Sequence, residues 1–398
     1  MEENYVYWHQ KKLRRGYTTG TCAAAAAGAA ASMLLSGETV QTVSILTPKG
    51  IRLSLEVEEI TAGAGWVSCA VRKDGGDDPD VTHGMLVFAR VELAGDGKEE
   101  PGWYSWGDKP KMKLDGGPGV GRVTKPGLAC PVGMAAINPV PRSMIFSQVE
   151  EACRRAGFFG NLQIRVSIPG GEEQAKKTFN PHLGIVGGLS VLGTTGIVEP
   201  MSEAALIETI RLSLKQMAAL GRKNLIVVPG NYGETFLKES LGLPLDLGVK
   251  CSNYIGETLD MAAELGFRSL LLVGHGGKLV KLAAGIMNTH SSQADGRREI
   301  LAAYGAACGA SQRTVEEILQ AATVDQCLNL LEKEALQGLV MERIMDRIDF
   351  YIKKRAGGSL QAEALLFTNE KGVLGMTPGA GKLLADFQAG RIYERTVK

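Results

Sequence analysis

Three glycine-bearing stretches carry the residues best placed to do chemistry: VGGLSVLGTTG inside Gly184–Val198, VPGNYGE at Val228–Glu234 and VGHGGK at Val273–Lys278. Each adjoins a run of apolar residues with strand character. Glycine lets backbone approach a ligand closely, and a helix that follows offers unpaired N–H groups to anions. In open parallel sheets, ligands bind at the carboxyl ends of the strands, so three such loops on one edge would make a pocket. Its lining would be Gly187, Gly188, Gly193, Thr194, Thr195 and Gly196, then Gly230, Asn231 and Gly233, then Gly274, Gly276 and Gly277. None of these stretches spells GxGxxG or a Walker loop, so a standard dinucleotide or ATP site is disfavoured. His275, between two glycines after a buried strand, reads as a general base, as a hydrogen-bond partner for a ligand, or as a structural turn residue.

Other polar groups are open to two readings each. Asn288, His290, Asp295 and Arg298 in MNTHSSQADGRRE bind an acidic ligand or cap the flanking helices. Asp77, Asp78, Asp80 and His83 in DGGDDPDVTHG suit a divalent cation, acid/base work, or ordinary turn chemistry. Lys125, Asn138 and Arg142 in a long loop are carboxylate anchors or simply solvated side chains. In TTGTCAAAAAG, Thr19 or Thr21 caps a helix rich in alanine. Cys22 then falls in the first turn, where the helix dipole lowers a thiol pKa, unless it simply packs in the core.

Two domains must position these residues. Residues 1–175 read as an α+β domain: an alanine-rich helix, then alternating runs at Val43–Leu46, Ile51–Val57, Gly65–Arg72 and Met85–Leu93 that meet as antiparallel hairpins. A Pro/Gly-rich loop over 103–143, a helix at Ser147–Ala156 and a strand at Leu162–Ile168 close it. Residues 176–398 read as a Rossmann-like α/β domain with a parallel sheet and extra helices. Its apolar strand segments are Gly184–Val198, running with its glycine turn into the first helix, then Asn224–Val228, Ser269–Val273 and Ala364–Thr368. Its helices start near Ser202 and run over Leu279–Met287, Arg297–Ala307, Arg313–Ala322, Val324–Glu334 and Leu336–Lys354, with a last one from Ala380.

Composition narrows the function classes. Lys plus Arg total 44 against 43 Asp plus Glu over 398 residues, so no global field draws the chain to nucleic acid or an anionic membrane. The seven cysteines are dispersed without CxxC, and the five histidines show no metal-ligand spacing, which argues against a protein-bound metal. GYTTGTCAAAAAGAAAS after KKLRR imitates a secretory signal, but alanine gives little transfer free energy and no run reaches the ~20 apolar residues of a membrane span. A cytoplasmic location is the expectation.

Together LRRGYTTGTCAAAAAGAA, DDPDVTHG, GVGRVTKPGLACPVGMAAINPVPRSMI, KKTFNPHLGIVGGLSVLGTTGIVEPMS, VPGNYGE, SNYIGETLD and GHGGKLVKLAAGIMNTHSSQADGRRE closely resemble the CbiD family, the cobalt-precorrin-5B C(1)-methyltransferases of anaerobic cobalamin biosynthesis. The resemblance runs from Leu13 to about Glu299. It implies methyl transfer from S-adenosyl-L-methionine to ring carbon C-1 of a cobalt-containing tetrapyrrole, giving cobalt-precorrin-6A, with cobalt entering as part of the substrate. On that basis the glycine loops would hold the donor, and Glu199 or Glu234 its ribose. Lys125, Arg142, Lys278, His290 and Arg298 would meet the macrocycle's carboxylates, with Thr19, Thr21 and Cys22 beside the substrate. His275 or Asp78 would remove a proton. A non-catalytic corrinoid carrier of the same pathway is the alternative. Hand-over to neighbouring enzymes and a homo-oligomer are compatible with either.

Overall fold

The computed structural model describes residues 5–8, 11–95, 102–244 and 248–390. It divides into two compact units, Met1–Glu203 and Ala204–Lys398, a boundary well beyond the 175/176 expected from composition.

The first unit is built around α1 (Thr19–Ser36). Thr18, not Thr19 or Thr21, is its N-cap: it is extended at φ −79°, ψ 161°, and its side chain accepts from the Thr21 N–H at 3.2 Å. Gly37 ends the helix in the left-handed region at φ 74°, donating to the Met33 carbonyl. The alternating runs form β1 (Thr42–Leu46) and β2 (Arg52–Glu56), an antiparallel pair, then β3 (Glu58–Gly63), β4 (Trp66–Arg72) and β5 (Leu86–Ala94). With β6 (Tyr104–Trp106), β7 (Met112–Gly116) and β8 (Asn161–Ser167) they make a six-stranded sheet in the order β3-β4-β5-β8-β7-β6, antiparallel except for β7 beside β8. The second long helix, α2 (Pro139–Ala156), starts well before Ser147, because proline is tolerated in a first turn whose N–H groups lack helical partners.

Ala23 to Ala27 and Ala29 to Ala31 are buried in one core with Val67, Cys69, Val87, Ala89, Ile145 and Val149 from β4, β5 and α2. Small side chains on α1 let α2 and the sheet pack closely against it. By length and composition α1 could cross a membrane, but 78% of its window is buried inside the fold.

In the second unit, α3 (Glu203–Ala219) precedes β9 (Asn224–Val228), α4 (Asn231–Glu239), β10 (Gly248–Lys250) and α5 (Ile255–Glu264). Next come β11 (Ser269–His275) and α6 (Gly276–Leu279). Then follow α7 (Arg297–Ala307), α8 (Gln312–Gln320), α9 (Val324–Lys333) and α10 (Gln337–Ala356). The chain closes with β12 (Gln361–Thr368), β13 (Gly372–Met376) and α11 (Ala380–Gln388). The sheet order is β10-β9-β11-β12-β13: four parallel strands with an antiparallel edge, so it is mixed where an all-parallel sheet was expected.

Both faces of this sheet are covered, so successive strand residues alternate between two cores. Leu225, Val227, Leu270 and Leu272 join helices α5, α7, α9 and α10, whereas Ile226, Val228, Leu271 and Val273 join Leu237 of α4 and Leu383 and Phe387 of α11. That double burial is why β9 and β11 read as unbroken apolar runs.

Candidate functional site

The order β10-β9-β11-β12 places a topological switch point between β9 and β11. From β9 the chain crosses to one side, to β10; it then returns to β11 on the other side and continues to β12. The crevice outside the carboxyl ends of two such strands is where open α/β sheets take ligands. Two of the three glycine stretches open there, Pro229–Gly230–Asn231 after β9 and His275–Gly276–Gly277 at the end of β11.

Gly230 has φ 139°, a conformation that favours glycine, and a Cβ built on it would lie 3.5 Å from Lys278 Nζ. The half-buried Lys278 reaches across the strand ends: its ammonium donates to the Pro229 carbonyl and, at 3.3 Å, to that of Ser252. Burial holds its pKa below the usual lysine value, with Cys251 pulling up and Lys281 down. Lys250, at the end of β10, pairs with Glu234 and donates to Asn231 Oδ1 at 3.1 Å. Gly233 is a packing glycine, since a Cβ there would lie 2.9 Å from the Val273 carbonyl oxygen. Gly274 is another, facing Leu279.

His275 caps α6: its Nδ1 accepts from the Gly277 N–H at 3.1 Å. The ring lies 5.4 Å from that of Tyr232, which is 65% exposed, and edge-on to Phe367 at 5.7 Å. Burial lowers its pKa below the usual histidine value, against an upward pull from Asp325. One oxygen of Asp325, Oδ1, is buried and has no hydrogen-bond partner. The amphipathic helix expected over Leu279–Met287 is instead the short α6 and a 3-10 turn over Val280–Ala284, ended by Gly285 at φ 76°.

The buried Lys281 fastens the MNTHSSQADGRRE segment. Its Nζ donates to the Thr289 and Ala294 carbonyls at 3.0 and 2.9 Å and lies 3.9 Å from Asp295. Arg297 forks onto Asp295. His290, paired with Ser292 at 2.6 Å, is exposed. Arg298 borders a cavity of about 210 Å³ with Arg297, Asp295 and Thr323.

The third glycine stretch is not part of this sheet. Gly188 and Leu189 pair with Gly119 and Val120, Ile197 and Val198 with Tyr17 and Gly16, all within the first unit. The Thr21 hydroxyl donates to the Gly196 carbonyl at 2.7 Å, and Thr19 Oγ1 bonds both the carbonyl and the N–H of Leu192. A Cβ at Gly193 would strike Thr18 Oγ1 at 2.2 Å. Gly187, Gly188, Gly193 and Gly196 therefore serve a loop that clasps the start of α1, with Thr194 and Thr195 exposed on it. Glu199 is held by Lys49 and Arg15 of its own unit.

Thr19, Thr21 and Cys22 are buried, and Cys22 is fully enclosed. Burial pushes its thiol up to about 12, overriding the dipole effect and leaving the packing reading. In DDPDVTHG the acids are engaged in structural bonds. Asp80 pairs with the buried Lys73 at 2.8 Å, Asp77 accepts from the Arg14 N–H, and Asp78 accepts from the Met201 N–H. His83 Nδ1 accepts from the Gly75 N–H at 3.0 Å. Among the described residues no three His, Cys, Asp or Glu side chains converge as metal ligands. Lys125 is exposed beside Gly184, while Arg142 lies 4.0 Å above the Tyr104 ring and has a buried Nε without a partner.

Tyr232 and Asp325 had not stood out in the sequence. An aromatic between glycines in PGNYGE was the available signal for the first; Asp325 carried none.

The fold mixes α and β structure, and the candidate crevice lies in the second unit, where open sheets with parallel strands take small ligands. Residues 6–200 match the family model described as CbiD, and residues 288–378 that described as CbiD, C-terminal domain. A protein of Ruminiclostridium cellulolyticum named cobalt-precorrin-5B C(1)-methyltransferase is 47% identical over 92% of this chain and 92% of its own. One of the same name from Thermoanaerobacter sp. (strain X514) is 46% identical over 94% and 97%. A solved structure of a cobalamin biosynthesis protein (cbiD) from Archaeoglobus fulgidus is 29% identical, covering 74% of this chain and 88% of that one, with a TM-score of 0.39. The chain belongs to the CbiD family.

Proposed function

We propose that this protein is the cobalt-precorrin-5B C(1)-methyltransferase of anaerobic cobalamin biosynthesis, with S-adenosyl-L-methionine as donor. The observation that carries this reading is the 47% identity over 92% of both chains to a protein of that name. S-adenosylmethionine supplies a methyl group already activated on a sulfonium sulfur. The protein's task is then to align it with the ring carbon and exclude water.

The crevice between β9 and β11, read as the switch point of a Rossmann-like sheet, fits the donor. Gly230 keeps backbone clear beside Lys278, Tyr232 offers an exposed aromatic face, and Asn231, Glu234 and Lys250 form a polar rim. Glu234 is the acid at this edge, and its pairing with Lys250 draws on the carboxylate that a ribose would use. On the chemistry of basic groups with carboxylates, Lys278, His290 and Arg298 of the second unit are assigned to the macrocycle's carboxylates, and Lys125 and Arg142 of the first unit are separate candidates for the same role.

Calorimetric titration with S-adenosylmethionine and S-adenosylhomocysteine tests the reading. Saturable binding of both is expected. Absence of binding, with a corrinoid present as well as without, overturns the donor assignment and favours the carrier.

A further inference from the structure

The choice between the two functional roles of His275, base or hydrogen-bond donor, is made by the hydrogen bond on its other nitrogen. A neutral imidazole has one N–H and one lone pair. The Nδ1 lone pair is occupied by the Gly277 N–H at 3.1 Å, so the ring proton sits on Nε2. No described residue hydrogen-bonds to Nε2. In this tautomer Nε2 can donate but has no lone pair to receive a proton. Base catalysis would require the cap on α6 to break first.

We infer that His275 presents a fixed Nε2–H donor to an acceptor atom on the adenosine of the methyl donor, whose base lies on the exposed Tyr232 ring, and that it is a binding residue and not the base. The inference rests on the donor-site reading above. Three features support it. The imidazole stands at the carboxyl end of β11, at the switch point; Tyr232 flanks it at 5.4 Å; and the ring is locked from behind by Gly277 and edge-on by Phe367 at 5.7 Å. The charged and titratable groups around it are Asp325 on α9, Arg297 on α7 near Gly277, Tyr232 on α4 and Lys278 on its own turn. Burial outweighs Asp325, so the ring stays neutral at pH 7 and the donor persists.

Two substitutions separate the nitrogens. His275→Asn keeps an acceptor for the Gly277 N–H, the ordinary N-cap bond, and removes the distal donor. His275→Gln extends an amide N–H₂ toward the Nε2 position and gives up the cap. Binding of S-adenosylhomocysteine and of adenosine is measured by calorimetry at pH 7, with melting curves to confirm that each variant is folded. His275→Asn is expected to weaken both by about three- to tenfold, as for the loss of one neutral hydrogen bond, with His275→Gln within about twofold of wild type. Tyr232→Ala, on the surface, is expected to weaken both by about tenfold.

In turnover, the KM for the donor rises in His275→Asn while kcat at saturating donor and its pH profile are kept. Binding by His275→Asn equal to wild type overturns the inference alone. So does a kcat loss of about a hundredfold in both His275 variants with binding intact, which is the signature of a base. Absence of binding by the wild type overturns the donor-site reading and the inference with it.

Discussion

Gly20→Ala tests the clasp between α1 and the Leu192–Gly196 loop. Gly20 lies in the first turn of α1, where helix propensity alone predicts that alanine gains up to about 1 kcal/mol. The surroundings predict the opposite. A Cβ there would lie 2.7 Å from Pro141 Cγ and 2.8 Å from the Leu192 carbonyl oxygen, the same oxygen that accepts the Gly20 N–H at 2.8 Å. Neither neighbour is a flexible side-chain end. One is a ring at the start of α2 and the other is backbone, so the loop must move and stretch the bond. Overpacking of this kind costs about 1–3 kcal/mol and a weakened backbone hydrogen bond about 1 more, so against the propensity gain the contact wins by about 1–3 kcal/mol. For a unit of this size that lowers its melting temperature by about 2–12 °C. The control is Gly338→Ala in α10, where an added Cβ meets nothing within 4 Å and propensity should raise the second unit's transition by about 1–3 °C. Differential scanning calorimetry reads both transitions. A Gly20→Ala protein that melts at or above wild type would refute the close approach of loop to helix.

Asp80→Asn leaves the buried Lys73 ammonium without its countercharge and is expected to cost about 3 kcal/mol in urea denaturation at pH 7. Burial raises the Asp80 carboxyl, but Lys73 and the Thr82 hydrogen bonds together hold it below its ordinary value. The stability this gives is present above the unfolded pKa of about 3.9 and is lost as pH falls through the folded one. Wild type should therefore lose more stability than Asp80→Asn between pH 5 and about pH 2, and equal acid slopes would contradict the pairing. Cys22 should resist alkylation in the native protein while Cys308, the one cysteine not fully buried, reacts; peptide mapping that finds Cys22 modified first would contradict the packing assignment.

Elements carried by local pattern were legible in the sequence. Asn224–Val228 and Arg297–Ala307 match the expected limits, as does the start of the last helix at Ala380. What depended on distant partners was not legible. GIVGGLSVLGTTGIV has the apolar and glycine content of a strand and turn, but its fate is fixed by Thr19 and Thr21, 173 and 175 residues away in sequence. That misplacement also drew the domain boundary too early. The switch point could not be located until the order β10-β9-β11 was known, and with it the company of Tyr232, Lys278 and Asp325 around His275. The dipole argument for Cys22 was sound for an exposed first turn and failed because α1 is enclosed on all sides.

The most direct test of the account is turnover: S-adenosylmethionine carrying a ¹³C-labelled methyl, incubated with this protein and cobalt-precorrin-5B. The account predicts label at ring carbon C-1 and S-adenosylhomocysteine formed in equal amount. Label at another ring carbon would contradict it, as would an unmethylated tetrapyrrole bound to a folded, donor-saturated protein.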